Sequence, residues 1–399
     1  MTEVDVLLPL VRGAVDARLE HVLARLRAQW PAPSTAADEL FDAAATALTG
    51  GKRMRAVLGA VGLALLNEDH AGSVDQVSRE RHDSSGTADR VAVLAGPTAA
   101  RLGAALELYQ ASALVHDDVI DAADTRRGQP SAHRRYASRH RQAGWRGSAD
   151  GYGVSAAILL GDLLMAASAT EMGAAAATAE RGAARAARDA FDAMTTEVAV
   201  GQFLDVHHEV LPLPDPTDHP VAAGTAMREA ALEVVRHKSA RYSVMYPLVV
   251  GALLAGVDPR SELLEALKVF GEEIGIAFQL RDDVLGVFGD PALTGKPAGD
   301  DLREGKRTVL LALTWQRCND AGRALLTRVL TQGAAASAAD VAATADIIRD
   351  CGALAAHEEE IAAHTATGLG ALDAVPSALS DAPRETLTAL AHLLTARRS

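Results

Sequence analysis

Residues 98–121 read TAARLGAALELYQASALVHDDVID, a long helical run that closes on three aspartates. The same character extends outward. From Val4 to Leu48 the apolar positions Leu7, Val11, Val15, Leu19 and Val22 fall three or four apart, the period of a helix with one buried face. Gly50-Gly51 interrupts it, and a second helical run follows from Met54 to Leu66. Further helices are predicted over Ser155–Met172, Ala183–Val206, Thr225–Ala255 and Ser261–Phe288, and from Gly305 to the C-terminus. Between them lie connections rich in polar residues, glycine or proline. These are a flexible insertion at about 67–90, a structured loop with short turns over Arg126–Gly153, a loop over 211–220 with four prolines, and Gly289–Gly305. No fixed repeat, heptad array or strand–helix alternation appears. The expected architecture is a single all-α domain over residues 1–399.

Composition agrees and excludes several functions. Hydrophobic residues are 49% and charged residues 23%, enough for a real core, while aromatics are only 4%. Alanine and leucine dominate, which favours helix. A formal charge of −13 argues against nucleic acid as a partner. Cys318 and Cys351 are too few for a disulfide framework or a zinc site, which points to a reducing cytoplasm. The first thirty residues lack the apolar core of a secretory signal. The longest apolar stretch, Val244–Val257, contains Pro247 and falls short of the ~20 residues that span a bilayer. The expectation is a soluble cytoplasmic protein without a transmembrane segment.

The chemistry concentrates in two acidic clusters. In His116-Asp117-Asp118-Val119-Ile120-Asp121 the carboxylates of Asp117 and Asp121 are i and i+4, on one helical face, with Asp118 beside Asp121. Like charges at that spacing repel, and the C-terminal end of a helix disfavours anions. A cluster built against both effects points to a divalent cation. All-oxygen ligands favour magnesium, which takes one or two carboxylates and completes its shell with substrate phosphates. Thr125-Arg126-Arg127-Gly128 places two guanidinium groups a few residues away, suited to forking onto phosphate. The second cluster is Phe278-Gln279-Leu280-Arg281-Asp282-Asp283. Of 39 lysines and arginines only five are lysines, and four of them lie near glycine turns or acidic clusters: Lys52, Lys238, Lys296 and Lys306. Lys268 reads as an ordinary surface residue. Two carboxylate clusters bridged by magnesium would bind a diphosphate and stabilise the charge developing as its C–O bond breaks. The remaining cations would hold a second phosphorylated molecule against the reacting carbon.

Taken in order, Gly51-Lys52-x-x-Arg55, Asp117-Asp118-x-x-Asp121 with Arg126-Arg127-Gly128, Gly201-Gln202-x-x-Asp205, Lys238-Ser239 and Phe278-Gln279-x-x-Asp282-Asp283 resemble the motifs of the trans-isoprenyl diphosphate synthases. Gly144-Trp145-Arg146-Gly147, Gly161-Asp162 and the segment Asp300–Thr308 are similar too, and the likeness to bacterial geranylgeranyl diphosphate synthases runs from about residue 40 to 320. The resemblance implies an orthogonal helical bundle around a deep central cavity, in a homodimer. It also implies head-to-tail condensation of isopentenyl diphosphate with an allylic diphosphate, with three magnesium ions. Carried over by position, Asp117, Asp121 and Asp282 hold magnesium, supported by Asp118 and Asp283. Lys52, Arg55, Gln110 and Arg127 hold isopentenyl diphosphate. Arg126, Lys238, Ser239, Gln279, Lys296 and Lys306 hold the allylic diphosphate.

One departure stands out. Gly286 occupies the position where the second motif commonly carries a third aspartate; Asp290 or Asp300 could contribute through water, and a carboxylate restored at 286 is expected to be tolerated. A weakly active partner subunit is a rival, but it would be expected to lose residues of the first cluster, which are intact. A class I terpene cyclase is a second rival, and it would leave Lys52, Arg55 and Arg127 unexplained. His133, His207 and His208 offer no i, i+4 pair for zinc. For product length, the residues four, five and eight positions before Asp117 are Ala113, Ser112 and Tyr109, at ~6, 7.5 and 12 Å below the carboxylate for a 1.5 Å rise. In the family, a bulky aromatic one turn below the motif stops growth at fifteen carbons. Here that turn is small, and Tyr109 is the expected floor for a twenty-carbon product, with farnesyl or longer products as alternatives.

Overall fold

The computed structural model describes residues 3–31, 36–66, 90–217, 219–290 and 298–396. The insertion expected at 67–90 therefore lies outside the described residues but for Arg90, and so does Lys296. Among the described residues the only strands are the two-residue pair Thr125–Arg126 and Gln129–Pro130.

The chain divides into two compact units. The first comprises Met1–Phe191 and Pro247–Leu264. Its central helix is Pro97–Ile120, which packs along the helix Ala149–Ala176 and also receives Glu3–Gln29 and Met54–Leu63. Leu102, Leu106, Leu108 and Leu160 are fully buried there. Local chemistry sets the helix ends. Pro97 opens its helix at the first turn, where a missing N–H costs nothing. The Ser148 hydroxyl accepts from the Gly151 amide to cap Ala149–Ala176.

The second unit comprises Asp192–Tyr246 and Glu265–Ser399. Helix Val309–Arg317, capped by Thr308, packs against Pro220–Val234 and Ala353–Asp373. The core around it includes the wholly buried Trp315, Leu280, Leu310, Leu326 and Ile348.

Two expectations need correction. The segment read as a loop over Arg126–Gly153 contains the helix Ala132–Ala143, with Gly144 in the left-handed region at its end. Its sequence is too basic to show an apolar period, but Ala132, His133, Tyr136, Ala137 and His140 form its buried face. The stretch Thr225–Ala255 is not a plain α-helix: residues Val235–Met245 wind as a π-helix between Pro220–Val234 and Tyr246–Leu254. Arg90–Ile120 and Ala149–Ala176 are long and apolar enough to cross a membrane by length and composition alone, but among the described residues no clear transmembrane segment is shown. A core helix of an all-α unit meets the same test.

Candidate active site

In the first unit the site is organised by a hairpin. Thr125 and Arg126 pair with Pro130 and Gln129, and the two-residue connection Arg127-Gly128 has φ of 52° and 72°. Two successive left-handed residues make the tight turn whose twist matches an antiparallel pair, and glycine suits the second position. The turn sends two neighbouring guanidinium groups to different partners. Arg126 Nε donates to Asp118 Oδ1 at 2.8 Å, and its Nη2 lies 3.5 Å from Asp117 Oδ2. Arg127 Nη1 donates to the Thr49 carbonyl at 2.8 Å, and its guanidinium lies against Gly50 and Gly51.

Arg127 thereby joins the glycine turn that carries Lys52 and Arg55. Burial, and then the charge of Arg53, pull the Arg127 guanidinium below its ordinary value, with Arg126 and Arg55 adding to the effect. Cations crowded this way are suited to an anion. Lys52 is exposed and Arg55 half-buried.

Arg53, between them, was not singled out by the sequence. It is buried, with φ of 55°, and its guanidinium donates to Asp16 at 2.9 Å, to Glu107 at 3.2 Å and to the Leu48 carbonyl at 2.6 Å. It anchors the start of helix Met54–Leu63, so that the flanking Lys52 and Arg55 have a fixed base. Glu107, an acid within an otherwise apolar stretch, was the available signal. Gln110 follows one turn later on the same helix and is half-buried.

The acidic end of Pro97–Ile120 is held from two sides. Asp118 is buried, and burial pushes its carboxyl up while Arg126 pulls it back. His116 Nε2 lies 3.2 Å from the Ile158 carbonyl and 3.7 Å from Asp162, and its ring covers Gly161, which accounts for the Gly161-Asp162 segment. Asp117 is half-buried, and Asp121 caps the helix C-terminus. Further down, Ser112 Oγ donates to the Gly161 carbonyl at 2.7 Å, so its hydroxyl is committed to helix packing. Ala113 is half-buried. Tyr109 is buried, with its ring edge-to-face with Phe191 at 6.4 Å, and burial pushes its hydroxyl up to about 12.

In the second unit, helix Glu262–Phe288 carries Gln279, Asp282 and Asp283. Gln279 Nε2 donates to Asp283 Oδ1 at 3.1 Å. Asp283 is buried, and burial, then Asp301, push its carboxyl well above the usual range. A Cβ built at Gly286 would overlap the carboxylate of Asp301. The space of the missing side chain is filled by the carboxylate of Asp301, fifteen residues on, so a carboxylate introduced at 286 requires the Asp301 side chain to move. Lys306 lies 3.5 Å from that same Asp301 and 2.5 Å from Glu304. Lys238 Nζ donates to Asp205 Oδ2 at 2.5 Å, and Ser239 follows it in the π-helix. Lys268 pairs with Glu265 on the surface.

The C-terminal residues, which carry little of the sequence motif, brace this helix. Arg281 Nη1 and Nη2 donate to the two carboxylate oxygens of Glu358, and Arg281 Nε to the Thr395 carbonyl. Buried His357 Nε2 lies 2.8 Å from the Leu280 carbonyl.

Among the described residues no group of three His, Cys, Asp or Glu side chains gathers into a ready metal cage. The donors in the acidic clusters are carboxylate oxygens. That set fits magnesium, whose shell is completed by water and substrate phosphate rather than by protein alone.

The polyprenyl synthetase model matches residues 38–348. The chain belongs to the polyprenyl synthetase family. Its fold is the all-α isoprenoid synthase fold, and the family is one of trans-prenyltransferases. The chain is 31% identical over 252 residues to a geranylgeranyl diphosphate synthase of Sulfolobus acidocaldarius, covering 62% of this chain and 65% of that relative's length. It is 30% identical over 341 residues to a farnesyl diphosphate synthase of Mycobacterium bovis, covering 83% of this chain and 85% of the relative. A crystal structure of geranylgeranyl pyrophosphate synthase from Corynebacterium glutamicum, complexed with isoprenyl diphosphate and magnesium, is 35% identical. The match covers 98% of this chain and 99% of that one, with a TM-score of 0.79. The polyprenyl synthetase match extends past residue 320, where the motif resemblance ends, into the helices that follow.

Proposed function

We propose that this polyprenyl synthetase condenses isopentenyl diphosphate with an allylic diphosphate, in the presence of magnesium, to give geranylgeranyl diphosphate. The observation that carries the reading is the divergence of Arg126 and Arg127. One guanidinium serves the aspartate cluster and its neighbour serves the Gly50–Arg55 turn, so a carboxylate set and a cation set are joined through two adjacent residues. Two anionic substrates brought side by side is what such a pairing suits.

In this reading Lys52, Arg55, Gln110 and Arg127 hold isopentenyl diphosphate through charge-assisted hydrogen bonds. Arg126, Lys238, Ser239, Gln279, Lys296 and Lys306 bind and orient the allylic diphosphate. Asp117, Asp121 and Asp282 are the magnesium ligands, and Asp118 and Asp283 steady the neighbouring side chains. Magnesium, when bound, neutralises the diphosphate leaving group as the allylic C–O bond breaks. The carboxylates of Asp117 and Asp121 point from one helical face, and Arg126 keeps Asp118 ordered beside them. Tyr109 and Phe191 form a bulky aromatic pair two turns below Asp117, which supports a floor suited to a twenty-carbon chain. The name of the Sulfolobus relative favours that product, and the name of the mycobacterial one favours a farnesyl product.

We further propose a single-domain cytoplasmic homodimer, for which the exposed Ile158, Leu159 and Met165 on helix Ala149–Ala176 supply apolar surface. The test is incubation of purified protein with magnesium, isopentenyl diphosphate and dimethylallyl, geranyl or farnesyl diphosphate, followed by sizing of the products. Twenty-carbon product that disappears with chelator is expected. Cyclised product, or no condensation with any starter, would overturn the reading.

A further inference from the structure

We infer that Glu197 is a positioning residue that holds the π-helix in the winding that presents Lys238; the inference rests on the role given to Lys238 above. Helix Arg181–Val210 places Glu197, Gly201 and Asp205 at i, i+4 and i+8, on one face. Each meets the segment Val235–Met245 or its end. Asp205 takes the Lys238 ammonium at 2.5 Å. Gly201 allows backbone contact, since a Cβ there would overlap the backbone of His237 and Lys238. Glu197, with a side chain only 15% exposed, is gripped three times. His237 Nδ1 lies 2.7 Å from Oε1, Arg241 Nη1 donates to Oε1 at 2.7 Å, and Tyr246 Oη donates to Oε2 at 2.5 Å.

The spacing of those partners ties Glu197 to the winding. His237 and Tyr246 are nine residues apart. In an α-helix of 3.6 residues per turn, nine residues make about two and a half turns and put the two side chains on opposite faces. A π-helix, whose bonds run i to i+5, has roughly 4.4 residues per turn, so nine residues make about two turns and return to the same face. A single carboxylate can therefore accept from His237, Arg241 and Tyr246 together only while this segment is wound as π. Arg241 Nε also donates to Glu272 at 2.8 Å, which keeps the guanidinium planted when it turns toward Glu197. Rewinding to α would rotate Lys238 relative to Asp205 and carry its ammonium away from where the phosphate is bound.

The test is a double-mutant cycle on substrate dependence. Glu197→Ala is expected to raise the KM for the allylic diphosphate about tenfold, the effect of a lost charge-assisted contact. The KM for isopentenyl diphosphate should stay within about twofold. Lys238→Ala should give the same split, and the double variant should be no worse than Lys238→Ala alone, because Glu197 acts through Lys238. Tyr246→Phe removes one of the three bonds without emptying the site and should give a smaller rise of the same pattern, which guards against a Glu197 variant that fails to fold. Lys238→Ala without effect on the allylic KM would remove the role of Lys238 and the inference with it. Lys238→Ala with the expected effect, but an additive Glu197→Ala or one that raises both KM values equally, would overturn the positioning role alone.

Discussion

The carboxylate of Asp301 occupies the volume that a side chain at Gly286 would take, and it lies beside the buried Asp283, whose carboxyl it helps push up. Two acids are thus packed where the helix itself supplies no third one. Gly286→Asp is expected to lose about 1–3 kcal/mol of stability, from overpacking and from a third negative charge. The midpoint of urea unfolding would register it. In the Asp301→Gly background the same change should recover most of the loss, because only one side chain then needs the space. Equal urea midpoints for the parent and Gly286→Asp would mean that Asp301 swings away freely.

Asp117→Ala and Asp121→Ala should each nearly abolish condensation while leaving the helical circular dichroism unchanged. Both residues stand at the end of a helix that tolerates their clustered charge poorly, so their removal should not harm folding. Retention of near-parental turnover by either variant would end the assignment of that residue as a magnesium ligand.

What the sequence made legible follows from how local each signal is. The long helices show in the apolar period, and the Lys52, Arg55 and Arg126-Arg127 groups show beside their glycines. Helix Ala132–Ala143 was hidden because its buried face uses tyrosine and histidine among arginines. The π-helix was hidden because a 3.6-residue period does not distinguish it. Arg53 drew no notice because its burial depends on Asp16 and Glu107, 37 and 54 residues away. Asp301 replaces a side chain at Gly286 only once the chain has turned back, which no spacing in the motif reveals. The bracing of Leu280 and Arg281 by His357 and Glu358 is equally remote, 77 residues on.

The two substrate sites should separate kinetically. Lys52→Ala or Arg55→Ala should chiefly raise the KM for isopentenyl diphosphate, and Lys306→Ala that for the allylic partner. A hydrogen bond to a charged group contributes about 1.5–3 kcal/mol, or about ten- to a hundredfold in KM. Initial rates with each substrate varied in turn supply the measurement. If every variant raised both KM values alike, the division would fail.

Stability should depend on pH through His357. This imidazole is buried against the Leu280 carbonyl, and burial lowers its affinity for a proton below the ordinary value of 6.5. The unfolded chain takes up that proton below about 6.5, whereas the folded protein resists it, so stability is complete above that pH and falls as pH drops beneath it. The slope for one such group reaches about 1.4 kcal/mol per pH unit. Urea unfolding between pH 7 and 5 should show a steeper loss for the parent than for His357→Gln. Parallel curves would place the acid sensitivity elsewhere.

Product length offers the sharpest test of the geometry along the Asp117 helix. Ser112 spends its hydroxyl on the Gly161 carbonyl, which leaves Ala113 and Tyr109 as the side chains able to change the depth of the site. Ala113 is small, so a growing chain meets no obstacle one turn below the aspartates. Tyr109, two turns down, is locked edge-to-face with Phe191, and a paired ring is a firmer stop than a single mobile one. Ala113→Phe should therefore shorten the product to fifteen carbons by raising the floor about one turn. Tyr109→Ala should remove the floor and let products pass twenty carbons, at a cost of about 3–5 kcal/mol in stability if the cavity stays empty. Phe191→Ala supplies the control: if the pair is the floor, it should lengthen the product in the same direction by loosening the tyrosine. Chromatography of the dephosphorylated products would resolve all three. A distribution unmoved by any of them would put the limit on another helix and withdraw geranylgeranyl diphosphate as the product.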